Sequence, residues 1–195
     1  MNVAGQSGAY GIDTVSGTMA AGLAAASPVW SLRWGSTTTQ LVLLRLAIQM
    51  NSLGTGFAAG LGLFEAVKAR AFTASDTDGA SILPAANNAE RRTANATTGV
   101  TDLRQSTTAT LTAGTRTLDA QPFGAIRAQI STAANTVFLP GVAGNPAVPL
   151  FEAANGREPI VLTQDEGLVI RATVPATGTW EFRVLCEWAE ATAVH

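Results

Sequence analysis

The segment LVIRATVPATGTWEFRVLCEW, residues 168–188, decides the fold class. In its second half Trp180, Phe182, Val184, Cys186 and Trp188 occupy every second position. Between them stand Glu181, Arg183, Leu185, Glu187 and Ala189, of which three are charged. Successive side chains of an extended chain point to opposite faces, so this spacing predicts a strand with one packed face and one wet face. Residues 168–174 are mostly apolar and rich in β-branched side chains, and Pro175-Ala176-Thr177-Gly178 carries turn chemistry. The two runs together predict a hairpin.

The same period recurs outward from this segment. From Pro28, Val29, Ser31 and Arg33 alternate with Trp30, Leu32 and Trp34, and a Gly-Ser-Thr-Thr-Thr turn follows. Residues 41–50 place Val42, Leu44, Leu46, Ile48 and Met50 on one face and Leu41, Leu43, Arg45, Ala47 and Gln49 on the other. Leu, Arg, Gln and Met also suit a helix, but the sustained alternation favours a strand. Further strands are predicted within 57–73, over 100–111, 123–130, 150–153 and 159–162, with a turn at 164–167. Residues 75–92 are polar, with Pro84 inside, and read as a long loop. Residues 136–149 are rich in Pro and Gly and read as irregular.

The opening, residues 1–27, has glycines at 5, 8, 11, 17 and 22, each of which weakens a regular element. It reads as an arm that becomes ordered on a neighbour, with a short helix over 18–26 from its Ala and Leu content. The expected fold is therefore all-β: an antiparallel β-sandwich over residues 28–195 behind an extended N-terminal arm over residues 1–27. A jelly roll is the favoured member of that class, because it winds one chain of this length into two packed sheets.

Of the 195 residues, 47% are hydrophobic and only 13% charged, about half the usual charged share. Mean hydropathy is +0.22. A chain so poor in charge is expected to cover part of its surface with neighbours, as a homodimer or homotrimer. The alternative is a monomer with a Thr, Ser and Ala surface. A net charge of −2 and the absence of Lys/Arg runs exclude the usual footprint of nucleic-acid binding. The most apolar stretch, 41–50, is interrupted by Arg45 and too short to cross a bilayer, so no membrane partner is expected. The opening lacks the basic-then-apolar pattern of a secretory signal, which places assembly in a cytoplasm.

Chemistry finds little to work with. One Cys and one His, Cys186 and the terminal His195, leave no zinc set and no thiol–imidazole pair, and no cofactor motif is present. Cys186 sits on a predicted strand and reads as a small buried hydrophobe. Asp76, Asp78 and Gly79 faintly resemble a calcium loop without its later ligands, so a polar turn is the reading. Asp165 with Glu166, and Glu187 with Glu190, are the candidate carboxylate pairs for glycoside hydrolysis. The first lies at a turn, and the odd spacing of the second sends its members to opposite faces. Gly54-Thr55-Gly56 and Gly60-Leu61-Gly62 lack the lysine and frame of a phosphate loop. The candidate interface residues are Trp30, Trp34, Trp180 and Trp188, as core or docking anchors, and Arg91 and Arg92 beside Glu90, as partners for acidic groups. The four Trp are also the residues from which a carbohydrate platform would be built.

Three segments, GTMAAGLAAASPVWSLRWGS (17–36), DLRQSTTATLTAGTRTLDAQPFG (102–124) and PIVLTQDEGLVIRATVPATGTWEFRVLCEWAE (159–190), together resemble a family of virion structural proteins of tailed bacteriophages. They cover somewhat under half of the chain and carry strand and turn patterns rather than catalytic motifs. The resemblance implies a jelly-roll capsid decoration or cement protein on the capsid exterior, assembled in the host cytoplasm and bridging subunits of the major capsid protein. It implies no enzyme activity. The C-terminal pattern is also similar to phage tail and fibre jelly rolls, which gives the alternative of a tail, baseplate or fibre protein binding a host surface glycan.

Overall fold

Trp180, Phe182, Val184, Cys186 and Trp188 are all fully buried, and the residues between them, Glu181 to Glu187, are half-buried, as the alternation requires. The computed structural model describes residues 6–83, 97–130, 132–134, 147–154 and 157–192. Among these, every regular element is a strand. Two antiparallel sheets pack face to face as a sandwich.

The first sheet contains β1 (Gln6–Val15), β2 (Met19–Ala20), β4 (Gln40–Ser52), β10 (Val148–Glu152), β11 (Ile160–Leu162) and β13 (Thr179–Ala191), in the order β1-β13-β4-β10, with β11 on β4 and β2 on β13. The second contains β3 (Ser27–Trp34), β5 (Gly60–Arg70), β6 (Ala80–Ser81), β7 (Val100–Gln105), β8 (Thr117–Leu118), β9 (Gly124–Ile130) and β12 (Glu166–Thr173), in the order β6-β7-β3-β12-β5-β8, with β9 also on β5. One set of pairs is nested: β1 with β13, β3 with β12, β4 with β10 and β11, β5 with β9, and β13 with β4 and β12 with β5 join these within the sheets.

The core lies between the inner faces. Trp30, Leu32 and Trp34 of β3, Leu168 and Ile170 of β12 and Phe64 of β5 face Leu46, Ile48 and Met50 of β4 and the aromatic face of β13. Phe64 and Trp180 meet edge-to-face across the sheets at 6.1 Å between ring centroids.

Four expectations change. Residues 6–15 are not an arm: they form β1, hydrogen-bonded along β13 from Gln6↔Ala191 to Val15↔Arg183. Tyr10 of β1 is buried and stacks on Trp188 at 5.6 Å. Residues 18–26 form no helix; β2 is followed by a turn with Gly22 at φ +78° and Ala26 at φ 56°, both incompatible with one. Gly17 is held so close to the chain that a Cβ there would stand 2.3 Å from the Thr107 carbonyl oxygen.

β12 and β13 do not pair as a hairpin. The connection at 174–178 crosses from one sheet to the other, with Thr177 at φ 61° and Gly178 at φ 95°. It is docked on the 53–58 loop, where Ala58 N–H donates to Ala176 O and Thr179 N–H to Thr55 O. Finally, β4 changes phase. Arg45 pairs with Glu187 but Leu43 pairs with Trp188, so Leu44 is an extra residue. Leu41 and Leu43 therefore join the core with Leu46, Ile48 and Met50, while Val42 and Leu44 form a separate cluster with Ala189 and Ala191.

Candidate interface and binding surfaces

All four candidate Trp residues are 0% exposed, and their surroundings are intramolecular. They are core anchors. As docking or carbohydrate-stacking residues Trp30, Trp34, Trp180 and Trp188 are corrected: no face of any indole reaches solvent. Arg91 and Arg92 lie outside the described residues.

The low charge has a visible counterpart. Exposed positions are mainly Thr, Ala, Ser and Gly, as at Thr107, Thr108, Thr110 and Thr112. The large hydrophobics exposed among the described residues are Val15 on β1, Leu61 on β5 and Leu83 after β6. A broad apolar docking face is therefore not formed by the described residues. Small hydroxyl and methyl groups take the place of charge.

Several of the charges are used within the fold. Lys68 Nζ stands 2.8 Å from Glu166 and donates to Val161 O, tying β5, β12 and β11 together at one end of the sandwich. Burial pushes the Glu166 carboxyl up, but Lys68 and the Thr163 N–H and O–H outweigh it and hold it below the usual range. Glu166 is thus a fixed anion rather than a proton donor, and its neighbour Asp165 lies 3.7 Å from Arg33. The pair is not arranged as a general acid and a nucleophile.

Asp76 is fully buried, accepting from Arg116 Nε at 2.8 Å and from Gly114 N–H, while Arg116 lies over the Phe72 ring. Asp78 accepts from the Thr112 hydroxyl. The DTDG run is a structural turn whose carboxylates are engaged by the protein. Among the described residues, no three His, Cys, Asp or Glu side chains come together. Burial pushes the Cys186 thiol far above its ordinary range, which removes the thiolate needed of a nucleophile.

Glu190 faces the end of the core. Its Oε1 accepts from the Thr98 hydroxyl at 2.6 Å, Gly99 N–H at 3.0 Å and Trp188 Nε1 at 3.4 Å. Burial raises its carboxyl above the usual range despite those donors. Glu187 and Glu190 diverge as their spacing requires: Glu187 is half-buried opposite Arg45, Glu190 buried beside Trp188.

At the same end a cavity of about 260 Å³ opens between the β3–β4 turn and the β11–β12 turn. Its wall is Ser36, Thr37, Thr38, Thr39, Gln40, Thr163, Gln164 and Thr192, every one a hydroxyl or carboxamide. In the sequence, 35–39 reads as a turn and nothing more. The one signal was the run of threonines itself, and the partner wall, 125 residues further on at Thr163 and Gln164, is brought there only by the sheet pairing.

No protein-family model matches the chain, and neither does any curated protein or solved structure.

Proposed function

We propose that the chain is a virion structural protein of a tailed bacteriophage that decorates and cements the capsid. It would bind the major capsid protein across capsomer boundaries, in many copies, on the capsid exterior. The observation that carries this reading is spatial. The three segments that resemble phage virion proteins are far apart in sequence but supply neighbouring strands: β7, β3 and β12 lie side by side in the second sheet, and β13 follows β12 across the sandwich. The resemblance therefore falls on one contiguous body rather than on scattered turns.

We also read the sandwich as a jelly roll. Its strands pair first with last and inward from there, split between two sheets, as when one long two-stranded ribbon is folded over on itself. The insertion β6–β7 extends the second sheet beyond β3.

Cementing in this reading works by summation. Each copy contributes a modest contact made by small Thr, Ser and Ala side chains, and a shell of copies multiplies it. Such a surface carries few charges to desolvate, so even a thin contact escapes most of the cost of burying ions. The test is co-sedimentation of the purified chain with phage heads, together with quantitative mass spectrometry of intact particles. A fixed, high ratio to the major capsid protein is expected. Absence from particles, or a few copies confined to tails, would overturn the reading.

A further inference from the structure

The hydroxyl-lined cavity was not anticipated by the sequence, and its wall divides into two kinds of group. One kind is engaged and fixes the frame. Ser36 Oγ accepts from Thr39 N–H at 3.1 Å and lies 2.8 Å from Thr39 Oγ1, while Trp34 Nε1 donates to Thr39 O. On the opposite side Thr163 donates both N–H and O–H to Glu166 Oε2, at 2.8 and 3.0 Å. Asp165 N–H donates to Trp34 O at 3.1 Å and so joins the two walls. Two anchors, the buried Trp34 ring and the half-buried Glu166–Lys68 pair, therefore hold the cavity's shape before anything enters it.

The other kind is uncommitted. Among the described residues, the side chains of Thr37, Gln40, Gln164 and Thr192 have no hydrogen-bond partner, and they line the same space. Each offers both donor and acceptor capacity and none carries charge.

We propose that this cavity binds a neutral saccharide unit. A sugar ring presents hydroxyls that both donate and accept, which is the complement of hydroxyl and carboxamide groups held in a fixed frame. An anionic ligand would want a cation in the wall, and among the described residues none lines it. A peptide would want hydrophobic side chains to form subsites for its own, and among the described residues none lines it either. The volume fits a single ring rather than a long oligomer. Without an aromatic stacking face each site binds weakly, and useful attachment would come from many copies acting together. The inference does not rest on capsid attachment, since the free chain carries the whole site.

The experiment is amide and methyl NMR of the intact chain titrated with glucose, galactose, N-acetylglucosamine, glucuronate, glycerol and an N-acetyl dipeptide amide. Expected are shifts from at least one neutral sugar confined to residues 36–40, 163–164 and 192. Affinity should fall by about tenfold in the Gln40→Ala/Gln164→Ala variant, from the two lost carboxamides. Neither Gln side chain supports another residue, so that variant keeps its other resonances, which the same spectra report. Absence of shifts at sugar concentrations on the order of 100 mM would overturn the proposal, since affinity weaker than that has no specific content. Equal shifts from glycerol or glucuronate, larger shifts from the dipeptide, or unchanged binding in the double variant would overturn it as well.

Discussion

β1 and β13 lie side by side in one sheet and share almost their whole length, yet one is plain in the sequence and the other is hidden. β13 places five apolar residues, two of them Trp and one Phe, on one face and declares itself. β1, QSGAYGIDTV, has two glycines, and among its described residues Tyr10 and Ile12 are the hydrophobic ones packed against the core. Glycine and alanine give a strand little intrinsic preference, so β1 is a strand because β13 is beside it. A strand can be specified by its own pattern or by the template next to it, and only the first kind is readable from local sequence.

This comparison is broken most severely by removing the templated partner. Deleting residues 1–16 would strip the Tyr10–Trp188 stack and the paired bonds between Ser16 and Phe182, at 2.8 and 3.0 Å, and turn β13 into a bare edge. The expected loss is most of the stability, on the order of 5 kcal/mol or more, seen as a collapsed or non-cooperative thermal melt. Cys186, inert to a thiol reagent in the intact fold because it is fully buried, should then label rapidly. A truncated chain that melts as the full one does would return residues 6–15 to the status of an arm. Single substitutions come next. Trp188→Ala should cost about 3–5 kcal/mol by chemical denaturation, and Tyr10→Ala about 3 kcal/mol. A Tyr10 variant within about 0.5 kcal/mol of the parent would mean that β1 adds backbone pairing but no core.

The same distinction explains what was legible elsewhere. Alternation revealed β3, β4, β5 and β13, and an apolar run rich in β-branched residues revealed β12, and from them the all-β class and the sandwich follow. Pairing partners were not legible. PATG between two strand-like runs has the chemistry of a hairpin turn, but Leu168, Val169 and Ile170 are buried on both faces, so β12 sits in the middle of a sheet with β3 and β5 already on its sides. Nor was the phase of β4. One extra residue at Leu44 moves the core face from Val42 to Leu43, and nothing local in LVLLRLAIQM marks the bulge. The tryptophans were legible as anchors but not as buried ones, since a strand with one apolar face looks the same whether that face meets its own chain or another. The cavity at the 35–39 turn was illegible because its two walls meet only through tertiary pairing.

The far end of β13 allows the comparison to be sharpened by pH. Glu190 has its folded-state carboxyl raised by burial, so the fold favours its protonated form. Its contribution is fully present below the unfolded pKa and fades as pH rises through the folded one. Glu190→Gln imitates the protonated state at every pH. The stability of the native chain relative to this variant should therefore decline as pH is raised from about 3 to about 7. Melting midpoints of the two proteins across that range measure it. A difference that grows in favour of Glu190 toward neutral pH would show that the three donors around Oε1 outweigh burial.

The smallest effect is expected on the wet side of the same pair of strands. Asp13 of β1 and Arg183 of β13 form a two-pronged ion pair, with Arg183 Nε 2.6 Å from Asp13 Oδ1, and the hydrogen bonds that Arg183 donates to Asp13 raise the guanidinium above its ordinary value. Both side chains are more than a third exposed, so solvent and salt screen the attraction. A double-mutant cycle with Asp13→Asn and Arg183→Gln should give a coupling of about 0.2–1 kcal/mol that shrinks in salt. That value would leave the register of β1 to Tyr10 and Ile12 on the inner face. A coupling above about 2 kcal/mol would instead make the charges the specifying element, and the hidden strand would then have been readable after all, from a lone aspartate placed to meet the arginine of its neighbour.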